Sequence, residues 1–168
     1  MKPNLVIALD VPDLNQALSI VDQMPEDVSF YKVGLELFSA AGPEIVTQLR
    51  RRSRHVFLDL KLHDIPNTVA RAVDAAARQG VYMLTVHASG GRRMLQAATD
   101  AARRFAPIAP KIIAVTALTS MDDEDLTSIG VGRTTGEHVS ALARLAVDCG
   151  IDGLVCSVRE LATLRSAL

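Results

Sequence analysis

Apolar runs along this chain are short, and each is followed by a helix-like segment. Leu5–Asp10, Phe30–Val33, Val56–Lys61, Met83–His87, Lys111–Thr116 and Gly153–Cys156 read as strands. Asp13–Met24, a segment near Pro43–Arg52, Arg92–Phe105, Asp122–Ile129, Gly136–Cys149 and Val158–Ala167 read as helices. One more helix opens at Pro66, a residue suited to a first helical turn because its missing N–H is not needed there, and stops at Gly80. Strict alternation of strand and helix predicts a parallel sheet covered by helices.

The polar residues choose between an open doubly wound sheet and a (β/α)8 barrel. Asp10, Lys32, Asp59, Lys61, His87 and Thr116 all fall at the C-terminal ends of apolar strands. Chemistry gathered at that end of many strands is the barrel pattern. An open sheet concentrates it at one switch point beside a Gly-rich first turn, and the first turn here, Asp10-Val11-Pro12-Asp13, has no glycine. The pattern supplies about six βα units, whereas a closed barrel needs about eight and typically ~250 residues. The 168 residues are therefore expected to form one domain of the α/β, (β/α)8 TIM-barrel type, C-terminally incomplete, with the edges of the first and sixth strands open.

Composition narrows the class. Hydrophobic residues make up 49%, enough for a sizeable core, and the net charge of −1 argues against a general nucleic-acid binder. No apolar run approaches the roughly 18 residues that cross a bilayer. Met1-Lys2-Pro3-Asn4 leads into a strand with no secretory pattern, so a cytoplasmic location is expected. Cys149 and Cys156 are not spaced as a metal or redox site and read as small core or helix-end residues.

The stretch Phe57–Thr68 holds the candidate chemistry. Side chains alternate along a strand, so Asp59 and Lys61 share one face while Leu58, Leu60 and Leu62 share the other. Inside a barrel such charges are costly unless paired. Lys32, near the end of the second strand, is expected beside Asp59 and Lys61, with Asp64 following in the loop. The result is an alternating Lys–Asp–Lys–Asp array. Each carboxylate lowers the cost of burying its neighbouring ammonium. A lysine held in this way can protonate a carbanion formed beside it.

These residues make the sequence similar to the orotidine 5′-phosphate decarboxylase family. The resemblance rests on Ala8-Leu9-Asp10, Tyr31-Lys32-Val33-Gly34, the run Asp59 to Thr68, and Val115-Thr116-Ala117-Leu118-Thr119-Ser120-Met121, and it extends from Asn4 onward. It implies that orotidine 5′-phosphate is decarboxylated to UMP and CO2 in pyrimidine biosynthesis, with no metal or organic cofactor. Lys61 would donate the proton to carbon 6 of a vinyl carbanion, and Asp59 would lie against the substrate carboxylate. Lys32 would hold Asp59 and the ribose, and Asp10 the ribose hydroxyls. Asp64 and Thr68 would reach the neighbouring subunit's substrate, making a homodimer with shared sites. Leu60, Leu62, His63, Ile65, Pro66 and Asn67 complete the implied substrate-binding run, and Thr119 and Ser120 would contact the pyrimidine. The family's phosphate-gripping loops follow the seventh and eighth strands and have no match here, so weak or absent activity is expected of the chain alone.

Simpler roles compete at several positions. Asp10 can cap the following helix. His63 can serve the loop or an interface. His87 with Ser89-Gly90-Gly91 can form an anion nest, or only a turn. Arg50–Arg54 reads as a solvated helix end and Asp122–Asp125 as a helix start, each complementing the helix dipole. The Ala70–Ala77 face reads as tight packing. The competing functions are a magnesium-dependent sugar-phosphate decarboxylase or aldolase sharing D-x-K-x-x-D, and a non-catalytic fragment that dimerises or binds nucleotide. Lys32 and the Ile65-Pro66-Asn67-Thr68 tail argue against the former.

Overall fold

The computed structural model describes residues 5–168; Met1–Asn4, expected to carry no secretory leader, lie outside the described residues. Six strands, β1 (Val6–Ala8), β2 (Phe30–Gly34), β3 (His55–Leu62), β4 (Met83–His87), β5 (Lys111–Val115) and β6 (Gly153–Val155), form one parallel sheet. Its order is β1-β2-β3-β4-β5-β6, so each strand pairs with its successor in the chain. A doubly wound sheet would reverse direction at a switch point; this singly wound order is that of a barrel wall.

Helices α1 (Leu14–Gln23), α2 (Leu35–Ala41), α3 (Glu44–Arg51), α4 (Pro66–Arg78), α5 (Gly91–Arg103), α6 (Asp123–Ser128), α7 (Thr135–Asp148) and α8 (Leu161–Ala167) fill the connections. Strand side chains divide accordingly. Tyr31, Val33, Val56, Leu58, Leu84, Val86, Ile112 and Ala114 are at most 2% exposed and belong to the main core with Val21, Leu49, Val73, Leu95 and Ala98 of the helices. Burying each large apolar side chain contributes about 1.5–3 kcal/mol. Alternate residues on the other face, among them Lys32, Phe57, Asp59, Met83 and His87, are only half-buried. The sheet thus has an apolar helix-facing side and a concave side on which polar groups reach solvent. Ala76 and Ala77 on the alanine-rich face of α4 are buried where α4 packs on α5.

Two helices differ from expectation. The helix expected near Pro43–Arg52 is α3, but it is preceded by an unexpected one, α2, which starts directly from β2 with Gly34 at its N-cap. It ends at Gly42, whose φ of 59° is open to glycine and whose N–H donates to the Phe38 carbonyl at 2.8 Å. A helix of 7 residues is too short to nucleate well by itself; burial of Leu37 in the core holds it. The last helix begins at Leu161 rather than Val158. Before it, Ser157 N–H donates to Glu160 Oε2 at 2.8 Å and Arg159 N–H to Ser157 Oγ at 3.1 Å, which closes a turn instead. The acidic run does open a helix: Asp122 Oδ1 accepts from Glu124 and Asp125 N–H at 2.9 Å each. Arg52 pairs with Asp22 at 3.1 Å and Arg54 donates to the Glu26 carbonyl at 2.8 Å, consistent with a helix end in solvent.

Candidate active site

The charged residues meet on the concave side near the C-terminal ends of β1 to β4. Lys61 Nζ donates to Asp59 Oδ2 at 2.9 Å, with side-chain exposures of 32% and 14%. Lys32 Nζ donates to Asp10 Oδ1, also at 2.9 Å, and Asp10 is far more exposed at 66%. The α1 N-cap is Asp13, whose Oδ1 accepts from Gln16 N–H at 2.9 Å, so Asp10 is left for Lys32. Where a continuous Lys–Asp–Lys–Asp array was expected, there are two separate pairs. Among the described residues no ion pair joins Lys32 to Asp59 or Asp64 to either lysine.

The Asp59–Lys61 pair sits at an irregularity in the sheet. Leu58 pairs with Leu84 and Leu62 with Val86, so three residues of β3 stand opposite the single Thr85 of β4. Lys61 occupies this bulge with a φ of 49°, left-handed backbone that L-residues adopt at a cost. Its N–H donates to Thr85 Oγ1 at 2.8 Å, and Thr85 Oγ1 donates to Asp59 Oδ1 at 2.9 Å. Sequence reasoning passed over Thr85. The available signal was a lone hydroxyl in the middle of the apolar strand Met-Leu-Thr-Val-His.

The remainder of the run is exposed or only partly covered. His63, Asp64, Ile65, Asn67 and Thr68 are exposed on the loop and first turn of α4, while Leu60, Leu62 and Pro66 are partly covered. Asp64 Oδ1 accepts from the Ile65 N–H at 2.6 Å, which braces the loop before Pro66 starts the helix. Ile65 itself is 65% exposed. Thr119 and Ser120 are exposed in the loop after β5, turned by Met121 N–H donating to the Leu118 carbonyl at 2.9 Å. Thr116 is fully buried and donates to the Val155 carbonyl at 3.2 Å, a structural tie between β5 and β6.

At the end of β4 the His87 ring lies 5.4 Å from that of His63, stacked at 20°, and its Nδ1 is 2.6 Å from Ser89 Oγ. Burial, followed by the charges of His63, Lys61 and His138, holds the His87 imidazole below its ordinary range. A Cβ at Gly90 would fall against the flexible end of the buried Met94 side chain, which would have to move aside. Burial pushes the thiols of Cys149 and Cys156 up, which suits core residues. A crevice of about 420 Å³ between β6 and α8 is lined by residues such as Ile151, Leu154, Leu161 and Leu164 and contains none of the charged strand-end residues.

Comparison with known proteins agrees with the singly wound sheet. The profile of the "Orotidine 5′-phosphate decarboxylase / HUMPS family" matches residues 3–167. The chain is 51% identical over 162 residues to the orotidine 5′-phosphate decarboxylase of Sodalis glossinidius, covering 96% of this chain and 64% of that protein. It is 50% identical over 163 residues to that of Salmonella typhimurium, covering 97% and 66% respectively. The crystal structure of orotidine 5′-phosphate decarboxylase from Lactobacillus acidophilus superposes with a TM-score of 0.92 at 38% identity, over 98% of this chain and 76% of that one. An uncharacterized conserved protein from Geobacillus kaustophilus gives 0.90 at 41% identity, over 96% and 77%. The chain thus spans 64–66% of the length of these two curated relatives. No helix among the described residues is long and apolar enough to cross a membrane.

Proposed function

The chain belongs to the orotidine 5′-phosphate decarboxylase / HUMPS family, and from that premise we propose that its concave site decarboxylates orotidine 5′-phosphate to UMP and CO2. The observation that carries the reading is the Lys61 ammonium, held 2.9 Å from Asp59 at the C-terminal end of a strand in a barrel-type sheet.

In the proposed reaction the bond between pyrimidine carbon 6 and the carboxylate breaks. CO2 departs and the electron pair stays on carbon 6 as a vinyl carbanion. The Lys61 ammonium gives that carbon a proton, becomes a neutral amine, and is reprotonated from solvent. Asp59 serves in two ways: it fixes the ammonium, and its charge opposes the substrate carboxylate placed beside it. The first effect is the larger, because fixed charge aimed at developing charge needs no reorganisation during the reaction. Lys32 and Asp10, paired at 2.9 Å, take the ribose hydroxyls, and Thr119 and Ser120 take the pyrimidine edge. Exposed Asp64 and Thr68 serve the site of a second copy in a homodimer. Their exposure and that of Ile65 beside them support that placement. The reaction needs no metal or organic cofactor, and its product supplies pyrimidine biosynthesis in the cytoplasm.

The test is UMP formation from orotidine 5′-phosphate by the purified chain and its Lys61→Ala variant. The variant is expected to lose roughly 10²–10⁴-fold in kcat, the range for a positioned proton donor. Turnover by Lys61→Ala close to that of the parent chain would overturn the assignment.

A further inference from the structure

We propose that Thr85 is a positioning residue of this site, its hydroxyl locking the backbone of Lys61 and the carboxylate of Asp59 into one rigid ring. The proposal rests on reading the concave site as a decarboxylase. Thr85 touches no reacting atom and acts through its two partners.

The direction of the hydrogen bonds is forced. The Lys61 backbone N–H can only donate, so Thr85 Oγ1, 2.8 Å away, accepts. The hydroxyl proton then goes to Asp59 Oδ1 at 2.9 Å. The other carboxylate oxygen, Oδ2, takes the Lys61 ammonium at 2.9 Å. The path leaves the Lys61 backbone, passes through Thr85 and Asp59, and returns to the Lys61 side chain. Thr85 thereby holds the backbone of the proton donor directly and its ammonium through Asp59, whose carboxylate it orients.

The ring also answers a local problem. The bulge between Leu58 and Leu62 removes Lys61 from the regular ladder, and a buried N–H without a partner is costly. Thr85 supplies the acceptor the ladder no longer provides, and this stabilises the left-handed φ of 49° at Lys61. Three polar residues are buried among the described residues: Thr85, Thr99 and Thr116. Thr99 and Thr116 donate to backbone carbonyls, as buried threonines commonly do. Thr85 alone bonds to a charged pair. Its strand neighbours Leu84 and Val86 face the apolar core, whereas Thr85 faces the concave side with Asp59.

Thr85→Val keeps the shape and removes the hydroxyl, whereas Thr85→Ser keeps the hydroxyl. Thr85→Val is expected to lower kcat roughly 10- to 100-fold with KM within about 3-fold, because a misaimed proton donor affects the transition state more than substrate binding. Thr85→Ser is expected to stay within about 3-fold of the parent in both. Amide hydrogen exchange at Lys61, read by NMR, gives a measure independent of turnover: faster in Thr85→Val, protected in Thr85→Ser. If Thr85→Val does not fold, Thr85→Cys, with its weak S–H donor and acceptor, takes its place with the same expected losses. Unchanged kcat in the hydroxyl-free variant, equal damage in Thr85→Ser, or unchanged exchange at Lys61 would each overturn the proposal. A parent chain with no measurable decarboxylation would bear on the proposed function alone, and the exchange comparison would still decide the role of Thr85.

Discussion

Replacing Lys61 by alanine and by glycine should separate its backbone from its chemistry. Both variants remove the ammonium and leave Asp59 with the Thr85 hydroxyl, so that loss cancels between them. What remains is the backbone at φ 49°. An L-residue in left-handed geometry pays roughly 1–2 kcal/mol relative to its ordinary conformation. Glycine escapes that strain but loses about 0.5–1 kcal/mol relative to alanine through its greater freedom in the unfolded chain. The difference leaves Lys61→Gly more stable than Lys61→Ala by roughly 0.5–1 kcal/mol, the reverse of the usual order in a strand. With a urea slope of about 2 kcal/mol per molar, the unfolding midpoints should differ by about 0.3–0.5 M. Met83, a regularly paired residue of β4, is the control, where alanine should be favoured over glycine. Neither Lys61 variant should form UMP at more than a trace of the parent rate. If Lys61→Ala proves as stable as Lys61→Gly or more so, the strained bulge is refuted.

His87 should make stability depend on pH. Burial, then His63, Lys61 and His138, hold its folded pKa below the ordinary 6.5, so the unfolded chain binds its proton more readily. This contribution is present above about pH 6.5 and is lost as the pH falls toward the depressed folded value. His87→Gln should therefore flatten the decline of the urea midpoint between about pH 7 and 5, and an unchanged decline would contradict the assignment. Leu84→Ala, at a fully buried position in the main core, should cost about 2–5 kcal/mol in urea unfolding. A loss below about 1 kcal/mol would mean that this part of the sheet is less tightly packed than its burial indicates.

Strands were legible because each is an apolar run bounded by turn residues, and Met83–His87 coincides with β4 to the residue. The sequence also placed Asp59 and Lys61 on one face. Strand periodicity requires that, and the bulge preserves it because it adds two residues rather than one. Helix α2 was missed because seven residues between Gly34 and Gly42 carry no capping side chain, and its stability comes from burying Leu37. Pairing was the least legible feature. Lys32 stands beside Phe57 and Gly34 beside Asp59 in the register, yet the Lys32 side chain reaches back to Asp10. A long flexible side chain can choose among several carboxylates, and its periodicity does not say which.

The sequence by itself determined the alternation of strands and helices, the parallel sheet it implies, and the gathering of charges at the C-terminal ends of strands. These follow from local periodicity and from the rule that apolar strands need cover on their faces. The tertiary structure alone decided the partition of the charges into Lys32–Asp10 and Lys61–Asp59, the left-handed backbone at Lys61, and the part of Thr85 in holding them. The Lys32–Asp10 pair depends on the register between β1 and β2, the other features on that between β3 and β4. Register is set by packing across the whole sheet, and residues 24 and 26 positions apart meet only once it is formed.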